Sequence, residues 1–319
     1  MATSRGGIYG LRMALLRWAA PWSGPLARWL RFPTASSRPW QRAALDIVND
    51  GGIGDVLMST PGLKALKRAN PGCHVRFFSK FTPLVSGLPY IDEALPYEAR
   101  PPSAIYQDYV DYDDFMMPRA RLASLLADRL AIALTDDRPD CVIDPDLVTR
   151  YHTAWRDLPR PYLVVLRKAS GWTPNKNWPD HHWSVLLERL LARATVIEIG
   201  EPDASGASGS GTNYHDLRGG TSVEELAAVV AAADIYIGPC SGPMHIAAAA
   251  GVRGVVIYGG YERASLSRYP GHIGLTMQPP CSPCWLVTPC PYHVKCLEAI
   301  APGTVEAAVW KAWEAARPA

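Results

Sequence analysis

"GPCSGPMHIAAAAG", residues Gly238 to Gly251, is the stretch on which the fold turns. A short apolar run, "DIYI", leads into it and an Ala-rich segment of helical character leaves it, so it joins a buried strand to a helix. The Gly, Pro, Cys, Ser, Gly and Pro between them are denser than a plain turn requires. In open parallel sheets ligands sit outside the carboxyl ends of the strands, and this turn occupies that place. Ser241 and Gly242 would present backbone N–H groups at the positive end of the helix dipole, where a diphosphate binds well. Gly242 admits a phosphate without a Cβ clash, Pro243 suits the first helical turn, and His245 lies one turn in, within donating reach. A helix cap, with Ser241 as N-cap and His245 a satisfied structural residue, explains the same residues equally well.

The same alternation extends on both sides. Toward the N-terminus, "ALDIV" reads as a buried strand, "NDGGIGD" as a Gly-rich turn and "VLMSTPGLKALKRANPG" as a helix closed by Asn-Pro-Gly. "HVRFFSK" is the next strand. A Pro-, Tyr- and Asp-rich section from Leu88 to Pro118 has little periodicity, and "RARLASLLADRLAIAL" after it predicts one amphipathic helix. "DLPRP" at 157–161 reads as a linker. Beyond it "YLVVL" opens a second series, with a helix at 182–193, strand "TVIEIG", helix "SVEELAAVVAAA", strand "DIYIG", helix "PMHIAAAAG" and strand "GVVIYG". Strands alternating with helices imply parallel sheets covered on both faces. The expectation is an α/β chain of two Rossmann-like domains facing a central cleft, at 43–157 and 158–300, with a closing helix at 301–319.

Composition narrows the function. The 319 residues are 48% hydrophobic and 19% charged with a net charge of +2, so no global field argues for nucleic acid. No window approaches the ~20 apolar residues that span a bilayer. The seven cysteines are not spread like a secreted disulfide framework and no cleavable signal peptide is evident, which predicts a cytoplasmic protein. Residues 1–42 differ from the rest, with seven arginines, no acidic residue, and Leu and Trp spaced for two short helical faces. Two readings stand for this extension: an interfacial helix on anionic lipid, which would make the protein peripheral at the inner membrane, or a loosely docked tail.

The N-terminal turn lacks the G-x-G-x-x-G fingerprint, which disfavours a nicotinamide cofactor. Asp55 sits instead where a helix starts beside glycines. It is read either as a carboxylate stabilising the helix dipole or as a general base facing the cleft.

Four elements in order, from about Asp46 to Cys296, resemble the family-9 glycosyltransferases, the heptosyltransferase family. They are "GDVL…TPGLKAL", the K-x-W-P motif inside "PNKNWPDHHW" (Pro174 to Trp183), the run "DLRGGTSVEELAAVVAAADIYIG" and the "SGPMHIAAA" loop. The resemblance implies a GT-B fold and inverting transfer of a sugar from a nucleotide diphosphate, ADP-heptose by preference, with no metal in the chemistry. On that pattern Asp55 matches the base and Lys176 the lysine on the donor phosphates. Ser241, Gly242 and His245, with Pro243 and Met244 between them, match the diphosphate cradle, and Thr221, Ser222 and Glu225 lie on the run near the nucleoside. Cys240 departs from the pattern, since many members carry Asp there. Arg167 and Lys168 add positive charge near the expected phosphate site or are ordinary solvated charge. The implied acceptor is a glycan or glycolipid of lipopolysaccharide type. A protein O-heptosyltransferase and a non-catalytic sugar-nucleotide or glycan-binding protein of the same fold are the competing readings.

"PPCSPCWLVTPCPYHVKC" places Cys281, Cys284, Cys290 and Cys296 at C-x2-C-x5-C-x5-C spacing. In a cytoplasmic chain four thiolates suit a structural Zn or Fe, with His293 able to replace one ligand; reduced, packed thiols are the alternative. The resemblance adds that an iron-binding version of such a run is known among protein heptosyltransferases.

Overall fold

The computed structural model describes residues 39–107, 121–169, 172–202 and 209–316. The first sheet contains β1 (Ala44–Val48), β2 (His74–Ser79), β3 (Glu93–Pro96) and β4 (Ile105–Tyr106), all parallel, in the order β3-β2-β1-β4. The second contains β5 (Tyr162–Leu166), β6 (Thr195–Ile199), β7 (Tyr214–Asp216), β8 (Ile235–Pro239), β9 (Arg253–Gly259) and β10 (His272–Thr276), also parallel, in the order β10-β9-β8-β5-β6-β7. Every residue of β5, β6 and β8 is buried, as strands covered on both faces require, and the charged member of β6, Glu198, is paired with Arg167. Winding reverses between β5 and β8, and between β1 and β4. Those are the two places where a doubly wound sheet opens a crevice at its carboxyl edge.

The helices are α1 (Ile53–Ala69), α2 (Leu122–Asp128), α3 (Pro145–Trp155), α4 (Asp180–Leu191), α5 (Val223–Ala232), α6 (Gly242–Ala250), α7 (Lys295–Glu298) and α8 (Pro302–Ala316). Helix α1 tolerates Pro61 in its interior because the hydroxyl of Thr60 donates to the Leu57 carbonyl at 2.7 Å, the acceptor that Pro61 cannot reach with an N–H. Helix α6 ends at Gly251, whose φ of 75° is the left-handed C-cap position.

The helix expected over "RARLASLLADRLAIAL" is shorter than its periodicity predicts. It stops at Asp128, Ala131 turns into the left-handed region at φ 54°, and Ile132 N–H donates back to the Ala127 carbonyl. Leu130 and Ile132 then enter the core, so burial overrides the helical repeat. The expected extension lies outside the described residues up to position 38, as do residues 108–118 of the section after Leu88. Among the described residues no helix is long and apolar enough to cross a membrane.

A single apolar core runs through both sheets, from Leu45, Ile47 and Phe77 to Val164, Ile197, Met244 and Val256. A second lies between the outer face of the larger sheet and α4 and α8, around Trp178, Trp183, Val305 and Val309.

Candidate active site

Two strand-to-helix turns meet at the carboxyl edges of the sheets. The first follows β1. Asn49 anchors it: its amide nitrogen reaches the Asp55 carbonyl at 3.1 Å, Ser59 Oγ at 2.8 Å and the Gln107 carbonyl at 3.2 Å, while its oxygen accepts from Gly51 N–H at 2.9 Å. One buried side chain thus ties the ends of β1 and β4 to the start of α1. The Asp55 carboxylate accepts from the Gly52 N–H at 3.0 Å, the back-bond of an acidic residue in a first helical turn. Gly51 is required here, because a Cβ would lie 2.5 Å from the Asp55 side chain.

The second turn follows β8. Ser241 occupies the N-cap position of α6, extended at φ −160° and ψ 178°, but its side chain accepts no hydrogen bond from the helix. The first turn of α6 therefore has no side-chain cap. Pro243, Met244 and His245 are buried behind it. His245 Nδ1 is 2.8 Å from the Tyr269 hydroxyl, which turns Nε2 toward Gly54 of the first turn. Burial is the main force that pushes this imidazole down to about 3, with Lys176 adding to it, so His245 is neutral at working pH. A Cβ on Gly54 would approach His245 to 2.8 Å and one on Gly242 would approach Ile53 to 2.7 Å. The two helix starts touch with glycine on each side.

Lys176 reaches the second turn from the loop after β5. Its Nζ lies 3.4 Å from the Cys240 carbonyl, 4.9 Å above the Tyr261 ring and 2.7 Å from Glu262 Oε1. Burial is the largest single influence and opposes its charge, but Glu262, with smaller contributions from Cys240 and Tyr261, together outweigh it and raise the ammonium above the ordinary lysine range. Cys240 is buried with Sγ 3.2 Å from Ser267 Oγ, and burial pushes its thiol well up, so it stands there as a neutral group.

Behind Lys176 the Cys-rich loop is stitched down by Asn175. Its amide donates to the carbonyls of Leu286 and Thr288, both at 2.7 Å, and its oxygen accepts from Cys290 N–H at 2.9 Å. Cys281, Cys284, Cys290 and Cys296 form no disulfide and lie near enough for the other three to raise the Cys284 thiol electrostatically, after burial as the larger cause. No three of these sulfurs approach within 4.8 Å of one another; the one group of potential ligands that does so among the described residues is His181, His182 and Glu298 on the surface. Trp285, His293 and Val294 in this loop hold positive φ near 48°, a strained region for such side chains.

Thr221, Ser222 and Glu225 stand at the head of α5. Ser222 and Glu225 form a reciprocal capping box, with Glu225 N–H donating to Ser222 Oγ at 3.2 Å and Ser222 N–H to Glu225 Oε2 at 3.0 Å; Arg150 pairs with Glu225 at 2.7 Å. Arg167 is 3% exposed and paired with Glu198 at 2.5 Å, so it is neither solvated nor open to a phosphate. Lys168 pairs with Asp180 at 3.5 Å. The residues that sequence reasoning missed are Asn49, Asn175, Glu262 and Tyr269. Asn175 was within reach, since it precedes the motif lysine; the others are joined to the site only by the fold.

The model of glycosyltransferase family 9 (heptosyltransferase) matches residues 105–280. No curated protein matches the chain. Among solved structures it is similar to E. coli ADP-heptose LPS heptosyltransferase II, with 15% identity, a TM-score of 0.65, and coverage of 86% of this chain and 99% of that one. The E. coli heptosyltransferase WaaC with ADP-2-deoxy-2-fluoro heptose shares 14% identity over 84% and 99% of the two chains, with a TM-score of 0.54. The iron-containing dodecameric glycosyltransferase TibC from enterotoxigenic E. coli H10407 shares 17% identity over 86% and 77%, with a TM-score of 0.65.

Proposed function

Because this chain belongs to glycosyltransferase family 9 and is a GT-B glycosyltransferase of the heptosyltransferase kind, we propose that it transfers heptose from ADP-heptose, with inversion, to a glycan acceptor of lipopolysaccharide type. One observation carries the reading: a helix start bearing a carboxylate, Asp55, packs through Gly54 against the uncapped start of α6. In this reading Asp55 removes the proton of the acceptor hydroxyl. The oxygen attacks the anomeric carbon from the face opposite the diphosphate, the bond to the diphosphate oxygen breaks, and ADP leaves with the electron pair. Lys176 and the N–H groups of Ser241 and Gly242 offset the charge that develops on it, with neutral His245 donating alongside and Pro243 and Met244 setting the floor. This supplies the electrostatics of the step without a catalytic metal. Thr221 walls the nucleoside side, with Ser222 and Glu225 fixing the helix that carries it.

The test is ADP release from ADP-heptose in the presence of a lipopolysaccharide-core acceptor. Lys176→Ala is expected to weaken ADP binding and slow transfer together, by about tenfold or more. Turnover with no nucleotide sugar would remove the enzyme reading in favour of a binding protein. Turnover on a polypeptide hydroxyl rather than a glycan would move the acceptor to protein. For residues 1–42 the reading is peripheral attachment to anionic membrane at the cytoplasmic face, tested by vesicle binding that weakens with salt.

The cysteine loop is read as a structural Zn or Fe site. Its support is the soft donor set on one loop, whose sulfurs would have to draw closer together to hold an ion. Cys281, Cys284, Cys290 and Cys296 would hold the ion, which would contribute folding free energy to the loop. Elemental analysis is expected to find about one ion per chain, and Cys281→Ser or Cys296→Ser to lower both occupancy and Tm.

A further inference from the structure

We propose that Glu262, on the turn after β9, is a positioning residue for transfer: its buried carboxylate holds the Lys176 ammonium beside the α6 turn, so that an arriving diphosphate meets a cation already in place. The inference rests on the reading of Lys176 as the donor-phosphate lysine.

Three strand ends converge here. Lys176 comes from the loop after β5, Cys240 from the end of β8 and Glu262 from the end of β9. Glu262 is 3% exposed, and its Oε1 lies 2.7 Å from Nζ while meeting no donor in hydrogen-bonding geometry. A buried carboxylate beside an anion site repels the ligand unless a cation neutralises it. Held in that way, it does two useful things. It keeps a proton on a lysine that burial would strip, and it restrains a stem with several rotatable bonds. The Tyr261 ring beneath Nζ, fixed through its hydroxyl by Trp172 Nε1 at 2.7 Å, limits the stem from the other side. An ammonium has three donors, so one can stay on Glu262 while the others turn to phosphate oxygens.

A double-mutant cycle on the full chain tests this, with ADP as the probe and its dissociation constant as the readout. Lys176→Ala should weaken binding. Glu262→Gln should weaken it by about tenfold in the wild-type background. In the Lys176→Ala background Glu262→Gln should leave affinity unchanged or improve it, because only a repelling carboxylate is then removed. Glu262→Asp keeps the charge one methylene short and should fall between. It also carries the test if Glu262→Gln fails to fold, since its loss too should vanish without Lys176. An equal loss in both backgrounds, or none in the wild type, overturns the proposal and leaves Glu262 as packing. An unchanged affinity in Lys176→Ala alone overturns the donor-lysine reading instead.

Discussion

The two turns that meet at the crevice have the same local build and opposite endings. Each follows a buried parallel strand, passes through glycine and opens a helix. The first closes on itself: Asp55 bonds back to Gly52, and Asn49 fixes the turn to α1 and to the end of β4. The second carries no carboxylate, and although Ser241 stands where a cap belongs, its helix start, like that of α1, has no side-chain cap. The head of α5, with its complete Ser222–Glu225 box, shows a helix start of the same chain closed by its own side chains. The contrast teaches that a Ser at an N-cap position is not evidence of capping. What its side chain accepts decides whether the dipole is closed or offered to an anion.

The contrast is broken most sharply at Asp55. Asp55→Asn keeps an oxygen that can accept from Gly52 but removes the base, and transfer is expected to fall by ~10²–10⁴ with ADP affinity nearly unchanged. Near-normal turnover in the folded variant would make Asp55 a cap and no more. Next is the glycine pair. Gly242→Ala drives a methyl to 2.7 Å from Ile53, and separating the turns is expected to cost about 1–3 kcal/mol of stability together with activity. A variant as stable and active as the wild type would show that the turns need not touch.

A smaller effect separates the two turns by protonation. His245 in the second turn, and His272 in β10 behind it, are held neutral by burial, at about 3 and about 4. The unfolded chain takes up these protons below about 6.5, so both residues contribute stability that is complete above that pH and lost as pH falls toward 4 and 3. At pH 5 the loss is about 2 kcal/mol each, and His272→Asn should flatten the profile of Tm against pH by roughly its share. The smallest prediction compares two serines. Ser222→Ala should cost about 1 kcal/mol in chemical denaturation, whereas Ser241→Ala should leave stability within about 0.5 kcal/mol. Equal destabilisation by both would mean that Ser241 caps after all.

The alternating fold was legible because the strands are short and mostly apolar, with Asp46 in β1 and Glu198 in β6 among the exceptions, and glycines mark the turns between them. Both turns of the candidate site were legible for the same reason, and so was Lys176 through its motif. Arg167 was not, because nothing in "LRKAS" shows that Glu198, on the adjacent strand, awaits it at 2.5 Å. Glu262 was hidden likewise: it approaches Lys176 only because β9 lies beside β8, and β8 beside β5. The α2 helix was overread because Leu130 and Ile132 continue a helical repeat while the core takes them in another direction. Side chains whose roles are set by neighbours distant in sequence escape local pattern, whatever its strength.

The core shared between the sheets has a consequence for how the molecule comes apart. Leu45 and Ile47 from one sheet and Val164 and Met244 from the other belong to one apolar cluster, so neither half can melt without exposing the other. Calorimetry should accordingly show a single transition whose van't Hoff and calorimetric enthalpies agree. Amide protons of β1 and β5 should exchange with the same free energy of opening, as members of one foldon.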